Sequence, residues 1–180
     1  MDAGLERELT WAELEGRRQA RRLGEFLRAE VSGFKDAFLA DCAARLGVRE
    51  TRKIIGEYVL REDDVLGARK FDDAIGRCAW PIERHVAGGE TLWRFLDTGQ
   101  WYTIPYRCLV PRDVPNLLVA GRCLSAESAA FASVRVLGPC MLEGQAVAVA
   151  ARRMCEDDSS GRDVDVDRLR AELADLGVPL

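Results

Sequence analysis

The segment NLLVAGRCLSAESAAFASVRVLGPCMLEGQAVAVAA, residues 116–151, joins an apolar stretch, a glycine turn and a helix of small residues. The apolar stretch ends at Gly121, and Gly138-Pro139 marks the predicted start of the helix. The first turn of a helix leaves backbone N–H groups without intrahelical partners and carries about half a positive charge, so it attracts a negatively polarised ligand atom. An ordinary α/β packing unit has the same pattern of small residues. The residues alone therefore leave a ligand site and a packing role both open.

Arginines that could capture a carboxylate lie just before the apolar segment KIIGEYVL. Arg49 and Arg52 offer the paired N–H groups that bidentate capture requires. Local acidic residues such as Glu50 could pair with them instead. His85 is the only histidine, and an imidazole is the natural proton carrier near neutral pH. A hydrogen-bonded structural role for His85 is equally open.

A second group of candidates surrounds the segment WYTIPYRCLVPR. Tyr102 and Tyr106 have the spacing of a strand, where aromatic residues usually belong to a core. Arg107 beside them could bind a substrate anion or cover an apolar edge. Ser125 and Ser128 lack a GxSxG turn and a second histidine, so nucleophilic hydrolysis has little support.

The amino-terminal part is predicted to be helical and the middle to be rich in strands. Thr10 and Glu13 form a capping-box pattern ahead of an apolar periodicity, which predicts a first helix. Ser32 would cap a second helix that ends at Gly47. Beyond it, KIIGEYVL and WYTIPYRCLV contain the β-branched and aromatic residues typical of strands.

The carboxyl-terminal part is predicted to alternate strand and helix. Pro111 and Pro115 isolate an apolar strand at 117–121, and a helix runs from Gly138 to about Met154. The segment DVDVDRLRAELADLG has the 3.6-residue period of an amphipathic helix. Its expected inward residues are Val166, Leu169, Leu173 and Leu176.

Composition excludes several classes of function. The 180 residues are 48% hydrophobic, enough for a core, and the net charge of −4 argues against a nucleic-acid partner. Six cysteines occur without a CxxC pair, so neither a zinc site nor a dithiol centre is predicted, and no metal is expected. No signal peptide and no apolar run of membrane-spanning length is present. A reduced, cytoplasmic protein without a membrane partner is therefore predicted.

Several long motifs, in the same order, resemble one family. GVRETRKIIGEY, KFDDAIGRCAWPIERH, YTIPYRCLVPRDVPNLLVAGRCLSAESAAFASVRV and GPCMLEGQAVAVAA are similar to the C-terminal half of FAD-dependent oxidoreductases, distant relatives of the flavoprotein subunits of fumarate reductase and succinate dehydrogenase. In that family an N-terminal GxGxxG unit holds the ADP part of FAD, a middle segment forms the substrate site, and the last strand–Gly–helix returns to the flavin. No GxGxxG occurs in this sequence.

The resemblance assigns residues to a flavin side and a substrate side. It implies that Gly121 is a close-approach glycine and that the helix start aims N–H groups at the pyrimidine oxygen of the ring. Arg122 stands where many relatives place an acid that binds the ribityl hydroxyls. The implied cofactor-binding residues are Gly121, Arg122, Ser133, Val134, Arg135, Leu137, Gly138 and Cys140. The implied catalytic residues are Arg49, His85, Tyr106 and Arg107.

The expected fold is α+β, a partial α/β flavoprotein without the N-terminal Rossmann fingerprint. Residues 1–110 would form a helical and strand-rich substrate or cap region, 111–154 the last segment of an FAD-binding domain, and 155–180 an acidic C-terminal helix. In one hypothesis the chain is the C-terminal portion of a flavoenzyme that uses FAD and a small-molecule substrate, either as a fragment or as the partner of a separately encoded N-terminal half. A homo-oligomer is also open as a partner. In the other it is a truncated binding or assembly module without cofactor.

Overall fold

The computed structural model describes residues 2–86 and 88–180, which divide into one compact unit ending at Arg52 and another spanning Lys53–Leu180. The helices are α1 Glu6–Glu30, α2 Glu62–Leu66, α3 Ser128–Val134, α4 Leu137–Asp157 and α5 Val166–Asp175, and a 3₁₀ helix spans Tyr106–Cys108. The strands are β1 Ala74–Cys78, β2 Ile82–His85, β3 Thr91–Arg94 and β4 Tyr102–Pro105. Helices and small antiparallel sheets confirm the predicted α+β class.

Helix α1 begins earlier than the sequence pattern predicts. Leu5 is its N-cap residue, and Glu6 and Glu8 in the first turn complement the positive end of the helix dipole. The predicted capping box is wrong, because Thr10 lies inside the helix and its Oγ1 donates to the backbone oxygen of Glu6 at 2.8 Å. A threonine hydroxyl inside a helix commonly bonds a carbonyl one turn back.

The predicted second helix does not form. Residues 31–52, all of which the structure describes, contain turns and irregular chain. Gly33 has a φ of +91°, which breaks a helix immediately after its expected cap at Ser32. Phe38, on the expected apolar face, is 81% exposed. An amphipathic pattern stabilises a short helix only when another element covers its apolar face.

The second unit contains two sheets, each of two antiparallel strands. Strand β1 pairs with β4, with Cys78 opposite Tyr102 and Ala74 opposite Pro105. All four residues of β4 are buried, which confirms the strand predicted within WYTIPYRCLV. Strand β2 pairs with β3 to form a hairpin. Helices α4 and α5 both pack against β1, so this strand lies at the centre of the core.

Two predicted strands are irregular extended segments instead. KIIGEYVL forms only isolated bridges, Gly56 with Pro111 and Leu60 with Ala126. The 117–121 segment donates two backbone bonds to other backbone, from Leu117 N to Val114 O at 3.3 Å and from Val119 N to Leu109 O at 2.9 Å, and forms no strand. A proline has no N–H to donate to a ladder, which limits pairing at position 111.

The predicted helices of the carboxyl-terminal part are confirmed in position. Helix α4 begins at Leu137 with Pro139 in its first turn, where a missing N–H breaks no intrahelical bond. In α5, Leu169 and Leu173 are fully buried. The prediction for Leu176 is wrong, since this residue follows the last turn and is 56% exposed.

All six cysteines are free, and Cys78 and Cys108 are buried. Within the described residues no helix alone has the length and apolarity needed to cross a membrane. Helices α3 and α4 meet those criteria only together, across an 89° bend.

Gly56 allows two backbone segments to pack closely. A Cβ at this buried position would lie 2.7 Å from Ser125 Cβ and 3.1 Å from the backbone oxygen of Arg107. We expect Gly56→Ala to lower the free energy of unfolding by about 2 kcal/mol, because neither atom belongs to the flexible end of a side chain. Urea denaturation followed by circular dichroism measures the change.

Gly144→Ala is the matched control for Gly56→Ala. Gly144 is exposed in α4, and no heavy atom lies within 4 Å of its Cβ position. Alanine should raise stability there by about 0.5–1 kcal/mol, because it lowers the entropy of the unfolded chain. A Gly56→Ala protein as stable as the wild type would show that the close approach is not a constraint.

Candidate functional site

A cavity of about 480 Å³ lies where β1 meets the start of α4. Its volume is within the range of small-molecule sites, and its walls are mainly apolar. The lining residues are Arg77, Cys78, Ala79 and Trp80 from β1 and the segment after it, and Val136, Leu137, Gly138, Pro139 and Leu142 from the α4 side. Two of the residues assigned to the flavin, Leu137 and Gly138, therefore line one cavity.

The start of α4 presents backbone donors. Val136 is the N-cap residue and forms no side-chain cap, and the first intrahelical bond runs from Cys140 N to Val136 O at 3.1 Å. Pro139 has no N–H, so the N–H groups of Leu137 and Gly138 are the first-turn donors without an intrahelical acceptor. Apart from its two neighbours and the backbone of α4 itself, no heavy atom of the described residues lies within 4 Å of the Cβ position of Gly138. An electronegative ligand edge can approach this backbone without a side-chain obstacle.

The backbone of the turn at Gly121 can likewise be approached by a ligand without a side-chain obstacle. Gly121 has a φ of +79°, in the left-handed region that favours glycine. The close approach expected at Gly121 does not involve the protein itself, because no heavy atom lies within 4 Å of its Cβ position. Its N–H donates to Glu143 Oε2 at 2.6 Å. The positive φ, and not steric contact within the chain, thus explains a glycine here.

Glu143 is a residue that the sequence analysis did not select. Its side chain is fully buried, and burial raises the pKa of the carboxyl to about 8, against the opposing effect of the Gly121 N–H. Among the described residues, Oε1 has no hydrogen-bond partner. The signal in the sequence was its spacing: Glu143 follows Cys140 by three positions and precedes Ala146 by three, on the inward face of a helix of small residues.

The residues of α3 lie behind the cavity wall. Ser133 and Val134 have no exposed surface. Ser133 Oγ donates to the backbone oxygen of Trp80 at 2.6 Å and lies 2.8 Å from the Tyr102 hydroxyl. Arg135 Nη2 donates to the backbone oxygen of Glu83 at 3.2 Å. Ser133 and Val134 thus belong to the core, and their assignment to the ring approach stays a prediction.

The other residues assigned to the flavin differ in exposure. Arg122 is exposed, beside the Gly121 turn. Cys140 is half-buried, its thiol donates to the backbone oxygen of Arg135 at 3.3 Å, and burial raises its pKa to about 11. This thiol is therefore protonated at neutral pH.

Tyr106 and Arg107, assigned to the substrate side, bond within the protein. The Tyr106 hydroxyl donates to the backbone oxygen of Gly161 at 2.9 Å, and burial raises its pKa. Arg107 donates to both carboxylate oxygens of Asp73, from Nε at 2.9 Å and from Nη2 at 3.2 Å. That hydrogen-bonded pair raises the pKa of Arg107. Asp73 therefore already occupies the Nε and Nη2 donors of Arg107, the pair with which this side chain would bind a substrate carboxylate.

His85 ends β2 with both ring nitrogens near polar groups. Its Nε2 lies 3.1 Å from Glu83 Oε1 and its Nδ1 lies 3.1 Å from Thr91 Oγ1. The imidazole is 42% exposed. Glu83 and Thr91 thus orient an imidazole that solvent can reach.

The four residues assigned to catalysis do not form one cluster within the second unit. Arg107 follows the Pro105 end of the β1–β4 ladder, whereas the cavity lies beyond the Cys78 end. Strand β1 separates these ends by about 13 Å at the usual rise per residue. Arg49 belongs to the other unit. None of the four is among the residues that line the cavity, and His85 follows Trp80 by five residues of chain, up to about 16 Å when extended.

Comparison with known proteins adds one match. The family model described as FAD dependent oxidoreductase matches residues 1–173. No curated protein and no solved structure matches the chain. Among residues 2–86 and 88–180, no group of three or more His, Cys, Asp and Glu side chains could hold a metal ion.

Proposed function

Because the chain belongs to the FAD-dependent oxidoreductases, we propose that it forms the C-terminal portion of such an enzyme and that its α4 cavity takes the flavin ring. The observation that carries this proposal is the combination at the start of α4. Two backbone donors without intrahelical acceptors, at Leu137 and Gly138, border an apolar cavity. A flavin ring has apolar faces and an electronegative pyrimidine edge, and this combination suits both.

Different residues around the cavity would contact different parts of the flavin ring. The N–H groups of Leu137 and Gly138 would bond the electronegative edge, where the positive end of the helix dipole favours negative charge. Trp80 and Leu142 would cover the apolar part and exclude water. When bound, FAD would accept or donate the hydride of the redox reaction. His85, oriented by Glu83 and Thr91, is the side chain we assign to holding a substrate proton.

The dinucleotide part of FAD needs a second structure. The sequence has no GxGxxG, the motif whose turn and helix start bind the pyrophosphate in this type of enzyme. We propose that an N-terminal half supplies it, either in the same polypeptide or in a separately encoded partner, because a second copy of this chain would lack the motif too. The reaction would use a small-molecule substrate, and the proposed location is the cytoplasm.

A binding or assembly module without cofactor is the second candidate function. The internal bonds of Tyr106 and Arg107 favour it, since both residues then act only in holding the fold. This candidate needs no ligand in the α4 cavity. Ligand binding at the cavity distinguishes the two functions.

Riboflavin, which carries the ring without phosphates, is the sharper probe of the cavity. We expect the chain to quench riboflavin fluorescence on weak binding, and FAD to bind no better than weakly, because the pyrophosphate contacts are missing. Gly138→Val should abolish the quenching, since its side chain would enter the cavity beside the backbone donors. Fluorescence titration and calorimetry measure these affinities.

Gly144→Val is the matched control for Gly138→Val, because it adds the same side chain to an exposed position of the same helix outside the cavity. It should bind riboflavin like the wild type. Equal binding by Gly138→Val and wild type would remove the flavin ring from this cavity. A wild-type chain that does not bind riboflavin would favour the module without cofactor, and submicromolar FAD binding would contradict the need for a second dinucleotide-binding structure.

A further inference from the structure

Packing does not account for the carboxyl of Glu143. The side chain is 0% exposed, like Ala146 and Ala150 on the same face of α4. A buried polar group costs free energy unless hydrogen bonds satisfy it, and Oε1 has no such bond among the described residues. An aliphatic side chain of similar volume would fill this position at lower cost.

The bond from Gly121 gives the carboxyl a structural partner. Glu143 Oε2 accepts the Gly121 N–H at 2.6 Å and connects positions 22 residues apart. Gly121 also begins a tight turn, because its backbone oxygen accepts the N–H of Leu124 at 3.1 Å. The carboxyl therefore ties this turn to α4.

One end of this tie is Gly121, whose backbone a ligand can reach, and the other is Glu143 in α4, five residues after Gly138. Leu142, the neighbour of Glu143 in α4, lines the cavity, whereas Glu143 does not. No heavy atom lies within 4 Å of the Cβ position at either Gly121 or Gly138. The tie thus connects the cavity-lining helix to a second open stretch of backbone.

We propose that Glu143 is a positioning residue that holds the Gly121 turn at a fixed distance from the start of α4, so that the turn meets the part of a flavin that extends beyond the α4 cavity, which Gly121 itself does not line. This inference rests on the proposed flavin site, and it assigns a residue that the family resemblance did not select. Glu143 itself does not touch the ring, because it lines no part of the cavity. Its role is to restrict the turn before the ligand arrives, which reduces the ordering cost of binding.

Two substitutions of Glu143 separate the hydrogen bond from the volume of the side chain. Glu143→Gln keeps an oxygen that can accept the Gly121 N–H, whereas Glu143→Leu fills the space and accepts nothing. The full chain is labelled with ¹⁵N, and hydrogen exchange of the Gly121 amide is compared with that of Leu169 in α5. Riboflavin affinity is measured on the same proteins by fluorescence.

In Glu143→Leu we expect the ratio of Gly121 to Leu169 exchange to rise about tenfold and riboflavin to bind about tenfold more weakly. With both measurements made at about pH 5, where glutamine and the protonated carboxyl contribute nearly equally to stability, Glu143→Gln should retain both wild-type values. An unchanged exchange ratio in Glu143→Leu would show that no tie exists, and a raised ratio with unchanged riboflavin affinity would show that the tie does not position the site. If the wild type does not bind riboflavin, both the proposed flavin site and the positioning role of Glu143 are contradicted. The titration of the wild type by itself gives this result, without any Glu143 variant.

Discussion

Glu143→Gln is expected to raise the free energy of unfolding by about 4 kcal/mol at about pH 9, and by far less at about pH 5. Burial raises the pKa of the folded-state carboxyl from 4.5 to about 8. The folded protein therefore keeps this proton up to about pH 8, whereas the unfolded chain releases it near pH 4.5. Stability from this group is fully present below pH 4.5 and is lost as the pH rises through 8. A glutamine does not titrate, so its advantage grows over the same window.

The neighbouring ionisable groups do not obscure this prediction. Burial is the largest cause of the raised pKa values of Cys78, Tyr102 and Cys140. Comparison of wild type with Glu143→Gln at each pH cancels every other titration that the substitution leaves unchanged. Urea denaturation at a series of pH values gives the difference in unfolding free energy. A difference that is the same at low and high pH would show that the carboxyl is not held in a buried environment.

Leu173→Ala is expected to lower the free energy of unfolding by about 3 kcal/mol. Leu173 is 0% exposed in the core, where α5 packs on β1 and α4. Alanine removes most of the buried side chain and leaves a cavity that its neighbours fill only in part. Denaturant unfolding followed by circular dichroism measures the loss.

Leu176→Ala is the control for Leu173→Ala, three residues further along the same apolar pattern. Leu176 is 56% exposed, and its backbone N–H bonds Glu172 O whatever the side chain. The loss should stay within about 0.5 kcal/mol. Equal losses at the two positions would mean that α5 turns both leucines inward, as the sequence periodicity predicts.

The sequence identified the parts of the fold whose signals are local. Gly138-Pro139 marked the start of α4 to within one residue, and the strand within WYTIPYRCLV and the helix α5 were found from their patterns. A proline in a first turn or a 3.6-residue period acts over a few residues, so it can be recognised without the rest of the chain. The family match over 1–173 likewise confirms the FAD-dependent oxidoreductase family that the sequence motifs indicated.

The same local rules failed where a second element decides the outcome. The segment after Ser32 has the period of a helix, yet Phe38 is exposed and Gly33 takes a positive φ. The 117–121 segment is apolar enough for a strand, but it makes no continuous ladder. An apolar pattern indicates that one face of a helix or strand can be buried. Whether that face is buried depends on whether another element packs against it.

The sequence by itself determined the α+β class and the helices α4 and α5. The family resemblance selected Leu137 and Gly138, and the structure places both in the wall of a cavity. Only the tertiary structure showed that the segment from Arg77 to Trp80 forms the opposite wall, although KFDDAIGRCAWPIERH was already part of the family resemblance. It also decided that Arg107 pairs with Asp73 and that Glu143 bonds Gly121. These partners are separated by 34 and 22 residues. Local propensity acts within a few residues, whereas burial, cavities and ion pairing arise only when distant segments pack together.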